Sequence, residues 1–181
     1  ICPSWVPNQF ALAAALSFSG DTEIYLLTGE GKIIKKLTNT WGIDVQPSWS
    51  PDGKKMAFVS KRAGTPQIYI KDIETEQARR LTYDGRYNTS PSWSPKGDKI
   101  AYTAMADGQF DIHVIGTDGS GDIQLTYDSG DNESPSWSPD GSLIAFSSTR
   151  EGISRIYVMT AFGKDQRRLL TLPGKQMNPR W

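Results

Sequence analysis

The chain has 181 residues, 37% of them hydrophobic, which is enough for a sizeable core, and its 20 basic residues balance 20 acidic ones. That balance gives no field for a polyanion or a charged membrane surface, and the longest apolar run, Phe10 to Leu16, is far too short to span a bilayer. A single cysteine, Cys2, rules out an intrachain disulfide. The chain opens at Ile1, almost inside a repeat, so we expect a longer protein with any signal peptide upstream.

In chain order, a first copy of a motif appears at Pro3-Ser4-Trp5-Val6-Pro7. It returns in full as Pro47-Ser48-Trp49-Ser50-Pro51-Asp52-Gly53, then Pro91 to Gly97 with Lys96 for the aspartate, then Pro135 to Gly141, and is cut short at Pro179-Arg180-Trp181. Trp5, Trp49, Trp93, Trp137 and Trp181 are each 44 residues apart. A fixed period of this length marks a tandem array, so a domain count from length would mislead.

Each period reads as four short strands. The first carries the tryptophan and ends in a turn, where proline presets φ and glycine relieves the exit. The second is the β-prone run Lys54 to Ser60, with copies at Lys99 to Thr103 and Leu143 to Ser147. The third is Gln67 to Lys71, matched by Glu23 to Leu26, Asp111 to Val114 and Arg155 to Val158. The fourth is Ala78 to Thr82, matched by Ile34 to Thr38, Asp122 to Thr126 and Gln166 to Leu170. No helical period competes.

A four-stranded antiparallel meander cannot bury both faces alone, so the copies must stack around an axis. The fold class is therefore all-β, a β-propeller of four-stranded antiparallel blades with a 44-residue repeat. The blades fall at about 1–44, 45–88, 89–132 and 133–176, with a closing strand at 177–181. The tryptophan of the inner strand and the Phe or Tyr of the second should form the wedge between blades. The first blade should be the least regular, because Asn8-Gln9 replaces Asp-Gly and Ala14 stands where Phe58, Tyr102 and Phe146 stand.

Residues that recur in every copy hold blades together, so function is sought where copies differ. Ahead of each Pro-x-Trp stand Asp44-Val45-Gln46, Asn88-Thr89-Ser90, Asn132-Glu133-Ser134 and Gln176-Met177-Asn178. These twelve residues open the inner strands and are expected to ring one mouth of the central channel. Such a ring suits a peptide, or a calcium ion in the channel, although a wet channel mouth needs no partner. His113, the one histidine, occupies a position held elsewhere by tyrosine and reads as a packing residue. Asp118-Gly119-Ser120-Gly121-Asp122 has alternating oxygens but lacks the distal glutamate of a calcium loop, so it reads as a hairpin turn. No G-x-S-x-G nucleophile motif occurs.

The motif Pro-Ser-Trp-Ser-Pro-Asp-Gly, with its following Ile-Ala-Phe, Ile-Tyr and Arg-Arg-Leu-Thr strands, resembles the TolB-like propeller repeat over essentially the whole chain. The segment Leu37 to Val45 and the ending Met177 to Trp181 are similar to that family too. The resemblance implies a six-bladed ring, of which this chain is the last four blades and the closing strand. It implies a periplasmic, non-enzymatic scaffold of the Tol–Pal system, supporting outer-membrane integrity and cell division. On the face formed by those twelve residues it would bind the peptidoglycan-associated lipoprotein, with other Tol proteins as further partners and no resident cofactor. The alternative is the propeller of a prolyl-oligopeptidase-like serine peptidase, whose repeats are similar. Four blades taken alone should not close, so the chain by itself is expected to self-associate, most simply as a two-chain ring.

Overall fold

A computed structural model describes residues 3–18, 20–127 and 130–181. Every regular element among them is a β-strand, and no helix among them is long and apolar enough to cross a membrane. The chain divides into two compact units, residues 1–91 and 92–181.

In the first unit, β1 (Ser4–Trp5), β2 (Ala11–Ser17), β3 (Thr22–Thr28) and β4 (Ile33–Lys36) form one antiparallel sheet in sequence order. The next sheet contains β5 (Asp44–Trp49), β6 (Lys55–Ser60), β7 (Gln67–Asp72) and β8 (Ala78–Arg80), again in order. The unit boundary falls inside β9 (Tyr87–Trp93), which opens a sheet completed by β10 (Lys99–Ala106), β11 (Gln109–Gly116) and β12 (Ile123–Gln124). The last sheet runs β13 (Asn132–Trp137), β14 (Leu143–Ser148), β15 (Arg155–Thr160) and β16 (Arg167–Arg168). Short loops between successive strands force this meander order.

The second strand of each sheet explains the stacking. In β6, Met56, Ala57, Phe58, Val59 and Ser60 are all buried, although neighbours point to opposite faces. A strand buried on both faces belongs in the middle of a stack of sheets. In the first unit Trp49, Met56, Phe58 and Tyr69 of the second sheet pack on Ala11, Ala13, Ile24 and Leu37 of the first. In the second unit Trp137, Ile144, Phe146, Tyr157 and Met159 pack on Ala101, Ile112, Val114 and Leu125. The expected wedge of tryptophan plus second-strand aromatic is therefore present at both contacts.

The fourth strands are shorter than their sequence pattern. Ladder pairing stops at Lys36, Arg80, Gln124 and Arg168, and the Leu-Thr that follows in the first three copies, Leu169-Leu170 in the last, has left the ladder. The leucine N–H still bonds inward, as in Leu37 to the Ile24 carbonyl and Leu81 to the Ile68 carbonyl. The threonine turns its hydroxyl onto the neighbouring strand instead: the Ile24, Ile68 and Ile112 N–H groups donate to Thr38, Thr82 and Thr126 Oγ1 at 2.9–3.0 Å. A side-chain acceptor thus replaces a ladder bond and ends the strand. The first blade departs as expected: β1 has two residues, and its first turn takes the left-handed conformation at Asn8 (φ +59°), one position before the one that glycine holds in later copies, as at Gly53 (φ +69°).

Candidate docking rim

The inner strands β5 and β13 each carry a bulge. In β5 the pairing passes from Val45–Val59 to Ser48–Ala57, three steps against two, and in β13 from Glu133–Ser147 to Ser136–Ala145. One extra residue therefore stands out of each ladder. The backbone takes it up in the left-handed region at Gln46 (φ +54°), Ser90 (+52°), Ser134 (+56°) and Asn178 (+52°), one residue per copy. None is glycine, and each precedes a proline whose missing N–H costs the ladder nothing at a bulge. Holding four non-glycine residues there requires compensation.

Part of it is side-chain bonding between successive copies. In the first unit the Ser90 N–H donates to Gln46 Oε1 at 2.9 Å, and Gln46 Nε2 donates to Ser90 Oγ at 3.4 Å. In the second, the Ser134 hydroxyl donates to Asn178 Oδ1 at 2.9 Å and the Ser134 N–H to Thr103 Oγ1 at 3.1 Å. The Ser147 hydroxyl donates to the Glu133 carbonyl at 3.0 Å.

Beside these bulges stand Val45, Thr89 and Glu133, half-exposed, and Met177, exposed. Among the three positions ahead of each proline, theirs is the one that differs most between copies. Burial holds the Glu133 carboxyl above its ordinary range, Asp131 adds to the shift, and Lys175 opposes it. Its side chain is therefore incompletely solvated, a state that a cationic or hydrogen-bonding partner would relieve.

Asp44, Asn88 and Asn132 do not belong to this exposed set. Only 0%, 1% and 0% of their surface is accessible, so the expectation that all twelve residues ring an open mouth fails for these three. The two asparagines reach sideways to the preceding sheet. Asn88 Nδ2 donates to Gln67 Oε1 at 2.9 Å and Asn132 Nδ2 to Asp111 Oδ1 at 3.1 Å. The same acceptors take the Thr82 and Thr126 hydroxyls at 2.8 and 2.6 Å. Gln176 keeps this role rather than a rim role: its N–H donates to the Ser154 carbonyl at 2.9 Å, and the Ile156 N–H donates to its Oε1 at 3.3 Å.

An arginine completes two of these clasps. Arg62 Nη2 lies 2.9 Å from Asp44 Oδ2, and Arg150 Nη2 donates to Asn132 Oδ1 at 3.0 Å. Each guanidinium also lies over its sheet's aromatic pair: Arg62 over Phe58 and Tyr69 at 5.2 and 4.7 Å, Arg150 over Phe146 and Tyr157 at 5.4 and 4.4 Å. Ala106 occupies this repeat position in the third copy and offers no guanidinium, and Asn88 Oδ1 is buried without a hydrogen-bond partner.

The remaining candidates are local. His113 lies 3.3 Å from Asp122 Oδ1, its ring centroid 5.5 Å from that of Tyr102, and the Tyr102 hydroxyl donates to Asp122 Oδ2 at 2.7 Å. Asp118 Oδ1 accepts the Ser120 N–H and hydroxyl, at 2.9 and 2.8 Å, and so closes its own turn. Among the described residues no three His, Cys, Asp or Glu side chains gather to hold a metal. Cys2 and Asp128 lie outside the described residues.

Tandem four-stranded antiparallel sheets stacked through an inner-strand tryptophan define a β-propeller protein. Residues 1–181 match the TolB beta propeller domain family. The chain belongs to that family. A curated relative, the Tol-Pal system protein TolB of Desulfosudis oleivorans (strain DSM 6200 / JCM 39069 / Hxd3), is 67% identical over 42 residues, 23% of this chain and 10% of the relative. The crystal structure of TolB from Acinetobacter baumannii is similar with a TM-score of 0.88 and 29% identity, over 99% of this chain and 45% of that one. A putative TolB from Agrobacterium tumefaciens is similar at 0.83 and 28%, over 93% and 65%. The chain thus spans less than two thirds of these solved relatives. A prolyl endopeptidase structure, at a TM-score of 0.69 and 20% identity, shares the fold.

Proposed function

We propose that this propeller is a non-enzymatic docking scaffold of the Tol–Pal cell-envelope system, working in the periplasm. Its partner on this reading is the peptidoglycan-associated lipoprotein, and the exposed rim residues Val45, Gln46, Thr89, Ser90, Glu133, Ser134, Met177 and Asn178 receive it. The observation that carries the reading is the left-handed residue before the proline in all four copies, Gln46, Ser90, Ser134 and Asn178. A strained backbone kept at one position, flanked by side chains that differ from copy to copy, is what a fixed frame with a variable contact surface requires. The likeness to TolB structures and to a curated Tol-Pal system protein supports a partner from that system. Thr89 in the first unit and Glu133 in the second are each available to it in this reading, since neither side chain is consumed by the fold's own clasps. Support for outer-membrane integrity and cell division follows from the same system, with other Tol proteins as further partners.

The test is calorimetric titration of the full-length protein with the lipoprotein. Glu133→Lys and Thr89→Arg should each weaken binding at least tenfold while leaving the melting temperature nearly unchanged, the loss of about 1.4 kcal/mol that one good contact supplies. Wild-type affinity in both variants would remove this rim as the docking surface.

A further inference from the structure

The clasp between the first two sheets differs from the others in one chemical respect. At the two later positions an amide, Asn88 or Asn132, donates its N–H to the side chain of Gln67 or Asp111. At the first position both partners are acids, Asp44 and Glu23, with 0% and 3% of their surface accessible. A carboxylate cannot donate, so the contact that the other copies make is closed to an ionised Asp44.

The oxygens can be told apart by the arginine. Arg150 donates to Asn132 Oδ1, leaving Nδ2 to face Asp111, and Arg62 donates to Asp44 Oδ2. Asp44 Oδ1 therefore corresponds to the donating nitrogen of Asn132. It is buried and has no hydrogen-bond partner, while Oδ2 also accepts the Thr40 hydroxyl at 3.1 Å. Glu23 is already arranged as an acceptor. Its Oε2 takes the Thr38 hydroxyl at 2.6 Å, and its Oε1 takes the Thr40 N–H at 2.9 Å with Lys36 Nζ at 3.4 Å.

We propose that Asp44 and Glu23 share one proton, carried on Asp44 Oδ1 and donated to Glu23, so that this junction tightens as protons are taken up. The proton makes the acid an isostere of the asparagine used in the other copies, and it removes a like-charge repulsion between two buried carboxylates. The charged groups around the pair are Arg62 from the β6–β7 turn and Lys36 from β4, with the hydroxyls of Thr38, Thr40 and Ser60 completing the surroundings. Burial is the largest influence on Asp44 and raises its affinity for a proton, with Glu23 adding to it, while Ser60, Arg62 and Thr40 act the other way.

The sign follows directly. A carboxyl whose folded affinity for a proton exceeds the unfolded one contributes stability that is fully present below the unfolded pKa, and the contribution is lost as pH rises through the folded pKa. Carbon-detected NMR of the aspartate carboxyls in the full-length protein reads the proton itself. Asp44 should titrate clearly above Asp52 and Asp72, whose carboxyls lie below the ordinary range. Glu23→Gln should move the Asp44 titration down. Asp44→Asn should melt higher than wild type at neutral pH, and the gap should close as pH falls. Titration of Asp44 together with Asp52, or a gap that is constant across pH, would overturn the proposal. The carboxyl titration decides the matter on the unaltered protein even where a variant folds poorly.

Discussion

The indole N–H of Trp137 donates to the carbonyl oxygen of Ser92 at 3.1 Å, 45 residues back in the chain. Trp49 does the same to Ser4 at 3.2 Å. In both units the inner-strand tryptophan thus bonds to the inner strand of the preceding sheet while its ring packs in the core between the two. Trp137→Ala removes a side chain that is 7% exposed and leaves the Ser92 carbonyl without this donor. We expect a loss of roughly 3–5 kcal/mol in denaturant unfolding, the range for truncating a buried aromatic. Trp137→Phe should lose distinctly less. A loss below about 1 kcal/mol for the alanine variant would mean that the sheets are held elsewhere.

Thr126 is fully buried, and its hydroxyl both accepts from the Ile112 N–H and donates to Asp111 Oδ1. Thr126→Val keeps the shape and removes both bonds, leaving a backbone donor and a carboxylate oxygen each short of a partner. The expected cost is about 2–3 kcal/mol in chemical denaturation. A neutral result would show that the strand end does not depend on this hydroxyl.

Ser90 holds φ at +52°, and its N–H, not its side chain, makes the 2.9 Å bond to Gln46 Oε1. Ser90→Gly should therefore be neutral or slightly stabilising, whereas Ser90→Val should cost about 1–2 kcal/mol in left-handed strain. Equal melting temperatures for the two variants would contradict the strained geometry.

The Asp140 carboxyl is lowered to about 2, first by the Ser138 hydroxyl and then by the Ser142 N–H and hydroxyl. A depressed carboxyl contributes stability above its unfolded pKa and loses it as pH falls through the folded value. Wild type and Asp140→Asn should therefore differ in melting temperature at pH 5 and converge as pH falls towards about 2. The copy at Lys96 lacks the carboxylate and makes no such contribution, so it serves as an internal control. A wild-type advantage that persists at the acid end would reject the turn as its source.

The period of the tryptophans, the alternation in the second strands and the repeated Pro-x-Trp made the sheets readable from sequence, because each is a local pattern copied several times. Strand ends were less legible, since Thr38, Thr82 and Thr126 leave the ladder for a contact made by the side chain. The rim was half legible. Three polar residues in register, Asp44, Asn88 and Asn132, looked like solvent-facing variation, yet each is buried, and the two asparagines bond to the preceding sheet. The signal that distinguishes them is their pairing with Glu23, Gln67 and Asp111 one strand pair earlier, a match of donor to acceptor rather than a property of either residue alone. The repeated residue before proline held a further clue, since an inner-strand proline is tolerated at a bulge.

Because the copies are identical in length, a genetic crossover between any two would add or delete a whole sheet without breaking a strand. The chemistry of the new seam would be less forgiving. Joining the sheet that ends with Glu23 and Thr38 to one that begins with Asn88 would create an acid–amide clasp, whereas joining Gln67 to Asp44 would set an amide beside an acid. Joining the sheet of Arg155 and Leu170 to either would supply neither the acceptor nor the threonine. Modules that are interchangeable in backbone are thus told apart by side chains at the Glu23 and Asp44 border, while the two later borders share one chemistry, an asparagine donating to an acceptor.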